Sequence, residues 1–279
     1  MKLLLILATL FAGTLQAQPL TFNKRFVECE NHWVVFPPKD SAYDYGFIYI
    51  DTQAGLTLEY QGKFTISPDG SFVQKLKMDS GKTGNVKIRL KPNNVRVAFF
   101  PASRYGDLHL TETPDWLKFY QTDTNSVARL FRWGFLYNSW NESAKALTYL
   151  QRAQAIDPTF KGLQFELGYA YNALQQYDKA IPVLENALQT APKDCNLYKE
   201  LSFAQMHLAQ LDKAAESCQK GIEYCTDKAM KAEIAYNLTY QYYLVKDKAK
   251  FATWAGEVRK WATPGDVFST NLQKMEAGQ

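Results

Sequence analysis

The sequence predicts a chain of two parts, an N-terminal antiparallel β-sandwich-like domain followed by an α-solenoid of helical hairpins. Three observations carry that prediction. Up to about residue 112, apolar and polar residues alternate in short runs broken by turn residues, the pattern of half-buried strands. Beyond residue 127, small residues recur with a period of 34 positions, the mark of stacked units. The length of 279 residues is enough for two separate cores. The expected organisation is an export signal over 1–17, the β domain over 18–112, a linker with a short helix over 113–126, the helical array over 127–262 and a C-terminal tail over 263–279.

The first stretch, MKLLLILATLFAGTLQAQ, has a cation at Lys2, an apolar run from Leu3 to Ala12 and a small residue at Ala17. That order is the order of a secretory signal, with cleavage expected near Ala17, and the run is too short to span a bilayer as a mature helix. The expected location is therefore periplasmic or secreted, where disulfides persist. Formal net charge is +4. Between residue 18 and residue 126 there are 13 basic and 12 acidic residues, and 18 and 16 after it, so neither half offers a basic surface for nucleic acid. No later run is apolar enough for stable membrane insertion.

In the first part, NVKIRLK sets Val86, Ile88 and Leu90 against Lys87, Arg89 and Lys91, which predicts a strand with one buried face. GLTLEYQ repeats the pattern at Leu56, Leu58 and Tyr60. FTISPDGSFV places Pro68, Asp69 and Gly70 between two apolar runs, as a hairpin turn requires. With RFVEC, HWVVF, YGFIYI and VRVAFF this gives about seven or eight strands, Cys29 lying in one of them. The segment Ser80 to Gly84 has Leu76 where a phosphate-binding loop needs glycine and is followed by a strand, so it reads as a hairpin loop. In the linker, Thr113 and Pro114 start a short helix, with Trp116 and Phe119 available to the sheet core or to contact between the domains.

A shift of 34 residues superimposes Gly134, Gly168 and Ser202; Ala146, Ala180 and Ala214; and Ala153, Ala187 and Gly221. Large residues keep step, Tyr137 with Tyr171, Leu150 with Leu184, and Trp133 with Leu167 and Leu201. Each copy reads as a helix, a tight turn and a second helix, and a small residue facing a large one lets the two axes approach closely. The copies run 127–160, 161–194, 195–228 and, with about three extra residues, roughly 229–262, where Leu238 and Thr239 take the places of the leucine and glycine. One such pair cannot cover its own apolar surface, so the copies must stack.

With these residues at this period, residues 127 to 262 resemble the tetratricopeptide repeat family. Three departures stand out: Gln205 replaces a large residue, Thr226 replaces the proline found at Pro158 and Pro192, and the fourth copy is displaced into a capping role with Trp254 and Trp261. The resemblance implies that the exposed face of the first helices lines a concave groove for a peptide or extended protein segment. In this chain that face carries Phe131, Phe135 and Asn138; Phe165, Tyr169 and Asn172; Lys199, Phe203 and Met206; and Tyr236, Tyr240 and Tyr243. Lys199 is its only cation, which argues against capture of a C-terminal carboxylate by basic side chains.

Chemistry leaves no comparable signal. His32, His109 and His207 have no second ligand at metal spacing, and neither GxSxG nor HExxH occurs, so no catalytic, cofactor or metal residues are expected. Cys195 opens the first helix of the third copy and Cys225 closes its second, positions that antiparallel helices bring together, which makes them a candidate disulfide. Cys218 aligns with Leu150 and Leu184 and is expected in the core. The sequence thus predicts an exported, non-catalytic adaptor that grips a protein or peptide partner. The alternative is a glycan or cell-wall binding module using β-domain aromatics such as Trp33 and Tyr43.

Overall fold

A computed structural model of the chain describes residues 19–78 and 86–278. The expected signal with its cleavage site, and the loop from Ser80 to Gly84, lie outside the described residues. The chain divides into two compact units between Thr122 and Asp123.

The first unit is built on one six-stranded antiparallel sheet: β1 (His32–Val35), β2 (Tyr43–Asp51), β3 (Gly55–Ile66), β4 (Phe72–Lys77), β5 (Val86–Arg89) and β6 (Ala98–Phe99). The order is β4-β3-β2-β1-β6, with β5 also pairing to β3. Two expected strands, GLTLEYQ and FTIS, are one continuous β3, which serves β5 along Thr57 to Tyr60 and β4 along Gly62 to Ile66. The change of partner falls at a bulge where Gly62 has φ 144°, and a side chain there would strike the Leu76 carbonyl.

The antiparallel β region followed by helical hairpins is present, and among the described residues its strands belong to one hydrogen-bonded sheet. Short 3-10 helices add further buried residues to this unit. RFVEC, expected as a strand, is the 3-10 helix Phe26–Cys29, and Cys29 is buried in it with its thiol pushed up to about 12 by desolvation. The 3-10 helix Asp115–Tyr120 closes over the aromatic face, where Trp116 meets Phe47 and Tyr49 edge-on at 5.7 and 5.0 Å. Trp116 therefore belongs to the sheet core, whereas Phe119 is 71% exposed. A second departure concerns β5: Ile88 is 45% exposed, because this strand pairs on one side only and its alternation does not bury it.

The second unit consists of the hairpins α1 (Val127–Ser139) with α2 (Ser143–Ile156), α3 (Leu163–Ala173) with α4 (Tyr177–Thr190), α5 (Cys195–His207) with α6 (Leu211–Tyr224), and α7 (Lys228–Leu244) with α8 (Lys248–Trp261). Residues 263–279, expected as a tail, contain a ninth helix, α9 (Val267–Ala277), that packs on α7 and α8. None of these helices is long and apolar enough to cross a membrane.

Close approach within each hairpin has the cause read from the repeat. A Cβ on Gly168 would lie 2.6 Å from Leu184 Cγ, and one on Gly134 would overlap Leu150 in the same way. In the third copy the pair becomes Ser202 with Cys218, a residue larger than glycine facing one smaller than leucine, and Cys218 is fully buried. Gln205, which stands where Tyr137 and Tyr171 stand, is also buried and accepts a 2.8 Å hydrogen bond from Ser217 Oγ across the hairpin. The turn inside each hairpin is fixed too. Asn141, Gln175, Ala209 and Lys246 all have φ between 56° and 59°, and the amide after each returns to the helix five residues earlier, as in Glu142 N–H to Tyr137 O at 2.8 Å. This is a Schellman ending, and the first three of these residues are spaced by the repeat itself.

Candidate functional site

The first helices contact one another in chain order, α1 with α3, α3 with α5, α5 with α7 and α7 with α9. Side-chain caps fix the first turns of α1, α5 and α7, whereas α3 starts at Gly162 without one. Ser126 accepts from Arg129 N at 3.3 Å, Asp194 from Asn196 N at 2.9 Å and Asp227 from Ala229 N at 2.7 Å. A cavity of about 250 Å³ opens along α1, α3 and α5. It is lined by Phe135, Asn138 and Ser139 of α1, Phe165, Glu166 and Tyr169 of α3, and Asn196, Lys199 and Glu200 of α5.

Five of the twelve residues expected on this face meet there: Phe135, Asn138, Phe165, Tyr169 and Lys199. Phe135 is exposed and Phe165 and Tyr169 are half-buried, so the rings form accessible walls. The other seven are placed differently. Phe131 packs on Phe160 at 5.2 Å. Asn172 is buried against Glu200, Phe203 lies against His207 at 4.4 Å, and Met206 is only 5% exposed and joins the core shared with α7 and α8. Tyr236 meets Phe268 of α9 at 5.5 Å, Tyr243 packs on Phe251 at 6.1 Å, and Tyr240 is exposed. The face is therefore not a single open band: α9 covers part of its fourth copy, while the first three copies form the cavity.

Asn138 and Lys199 were expected on this face, but the carboxylates of Glu166 and Glu200 were not legible as part of a site. Asn138 is 3% exposed, and its Nδ2 donates to both Glu166 Oε2 at 2.8 Å and Glu166 O at 3.0 Å. One repeat on, Asn172 Nδ2 donates to Glu200 Oε2 at 2.9 Å and Glu200 O at 3.0 Å. Each bond joins a first helix to the next one. The signal was present: the shift that aligns the glycines also aligns Asn138 with Asn172 and Glu166 with Glu200. Because both Nδ2 partners are acceptors, the amide orientation is determined, and the Oδ1 atoms of Asn138 and Asn172 are left buried without a partner. Burial raises the carboxyl of Glu166 above its ordinary value, opposed by the Asn138 bond and reinforced by Glu200. Burial raises Glu200 likewise, opposed by the Asn172 bond and by Lys199 and reinforced by Glu233. Lys199 is held by Glu233 at 2.8 Å.

Elsewhere the chemistry is structural. Cys195 and Cys225 form a disulfide with Cα atoms 5.2 Å apart, tying the start of α5 to the end of α6. His207 lies parallel to Tyr177 at 4.5 Å and His32 to Phe99 at 4.7 Å. Among the described residues no group of three or more His, Cys, Asp or Glu is placed to hold a metal ion. In the first unit Trp33, offered as a sugar platform, is instead 4% exposed, with Nε1 donating to Thr111 O at 2.8 Å. Tyr43 is stacked between Phe22 and Phe64 at 6.5 and 5.2 Å. Trp33 is thus buried, and Tyr43 is half-buried.

The tetratricopeptide repeat family matches residues 141–201, and no family matches the N-terminal unit. The chain thus contains a tetratricopeptide-repeat-like region. No curated protein matches the chain. Solved structures similar to it include MamA 41-end from Desulfovibrio magneticus RS-1, with 21% identity over 59% of this chain and 82% of that one and a TM-score of 0.44. A second is MamA from AMB-1, with 18% identity over 52% of this chain and 84% of that one and a TM-score of 0.45. YrrB, described as a TPR protein with an unusual peptide-binding site, has 17% identity over 55% of this chain and 76% of that one and a TM-score of 0.48.

Proposed function

We propose that the protein is an exported, non-catalytic adaptor whose helical repeats bind an extended segment of another protein in the cavity along α1, α3 and α5. The observation that carries this reading is the convergence of three accessible rings, Phe135, Phe165 and Tyr169, on buried amide and carboxylate acceptors. Rings supply apolar area at low loss of side-chain freedom, and acceptors take the N–H groups of an extended backbone. At about 250 Å³ the cavity suits one large side chain of a longer ligand better than a free cofactor.

Export is supported by the ordering of charge, apolar run and small residue in the first 17 positions and by the Cys195–Cys225 disulfide, which persists in oxidising compartments. Of the rings named for the glycan-binding alternative, Trp33 is buried and Tyr43 is half-buried.

The test is capture of partners from the native envelope or medium by the whole chain and by a Phe135→Ala, Tyr169→Ala variant. Loss of specific capture supports the groove. Undiminished capture removes it as the site.

A further inference from the structure

Resting on that reading of the groove, we propose that the cavity between α1, α3 and α5 is a subsite for a cationic side chain, lysine or arginine, of the bound segment. The hydrogen-bonding inventory of its lining points that way. Several of its donors already have acceptors: Lys199 Nζ is paired with Glu233 at 2.8 Å, Asn196 Nδ2 reaches Asp194 Oδ1 at 3.2 Å, Ser139 Oγ donates to Leu136 O at 2.7 Å, and Asn138 Nδ2 is shared by two oxygens of Glu166.

What remains is acceptor capacity. Asn138 lines the cavity with an Oδ1 that has no partner, although the residue is 97% buried by its 3% exposure. The carboxylates of Glu166 and Glu200 each take one bond from an asparagine, where an ionised carboxylate has about four acceptor positions. A lysine ammonium brings three donors and no acceptor, and a guanidinium five. The rings of Phe135, Phe165 and Tyr169 favour the same occupant, since the aliphatic stem packs on them and the charge is attracted by their faces.

Charge gives the same answer. Of the charged residues lining the site, Glu166 from α3 and Glu200 from α5 are carboxylates, and the ammonium of Lys199 from α5 is already paired with Glu233 of α7. An acidic side chain or a terminal carboxylate would meet like charge in a partly desolvated space. A cation would offset the like-charge repulsion from Glu200 and Glu233 that adds to burial in raising Glu166 and Glu200.

Random twelve-residue peptides displayed on phage and selected on the whole chain provide the probe. One enriched peptide is then resynthesised with its cation replaced by norleucine and by glutamate. The expected pool carries lysine or arginine at one position beside apolar residues. Norleucine should weaken binding about tenfold or more and glutamate further, and Glu166→Gln with Glu200→Gln should bring the parent peptide to the affinity of the norleucine version. If that double variant does not fold, the peptide substitutions decide alone. A pool that loses binding in Phe135→Ala, Tyr169→Ala but shows no preference for a cation overturns the subsite and leaves the groove standing. An empty pool, or one indifferent to the ring substitutions, overturns both.

Discussion

Glu166 is held in a site that favours its neutral form, and this has a consequence for stability that can be measured without any ligand. Its folded pKa is raised above the ordinary 4.5, chiefly by burial, so the folded state binds the proton more tightly than the unfolded chain does. The stabilising contribution is fully present below about 4.5 and is lost as pH rises through the folded pKa. Glu166→Gln keeps an acceptor for Asn138 and removes the buried charge. The variant is expected to be more stable than the parent at pH 7. Denaturant titrations between pH 7 and 4.5 should show that advantage shrinking as pH falls; a gap that widens toward acid contradicts the assignment. Ala209 offers a second test at this scale. It holds a left-handed conformation at φ 56°, which costs an alanine about 1 kcal/mol or more that glycine avoids. Ala209→Gly should raise the thermal midpoint, and Ala209→Val should lower it.

At the scale of elements, the hairpin contact between a small and a large residue is written in two versions, Gly168 with Leu184 and Ser202 with Cys218. Gly168→Ala alone drives a Cβ into Leu184 and is expected to cost about 1–3 kcal/mol. Gly168→Ser combined with Leu184→Cys copies the third hairpin into the second, and should recover part of the loss of the single Gly168→Ser change. A double-mutant cycle in chemical denaturation measures the coupling, expected at about 0.5–3 kcal/mol; strictly additive effects would show that the two residues do not touch. The hairpins were legible because a fixed period returns the same residue types to the same contact, so three copies vote on every position. The sheet was less legible for a physical reason. β2 is buried on both faces, so Tyr45 to Ile50 read as one apolar run, and β3 bends between two partners at Gly62, which no alternation reveals. RFVEC supplies buried residues from a 3-10 turn, and burial of Phe26, Val27 and Cys29 looks the same in sequence whether a strand or a turn provides it.

For the whole molecule, the disulfide is the covalent tie of the helical unit. It closes a loop of 30 residues, and Cys195→Ser with Cys225→Ser should lower the stability of that unit by about 2–4 kcal/mol. Circular dichroism melts with and without reductant check this, since reductant should move the parent protein toward the variant and leave the variant unchanged. Cys29 and Cys218 do not compete for the bond, being buried thiols pushed up to about 12. The candidate site was half visible from sequence. Its rings were found because they repeat on one helix face, whereas no local pattern singles out Glu166 and Glu200, and only packing of adjacent first helices shows them bonded to Asn138 and Asn172. The seating of Phe268 on Tyr236 was equally hidden, because a tail has no period from which to read its destination. The central claim is that a protein segment lies against α1, α3 and α5. Its most direct measurement places a photo-crosslinking amino acid at Tyr169 in one sample and at exposed Gln189 of α4 in another, each mixed with a selected peptide. The account predicts a crosslinked product from position 169 and none from 189; equal products, or a product from 189 alone, would contradict it.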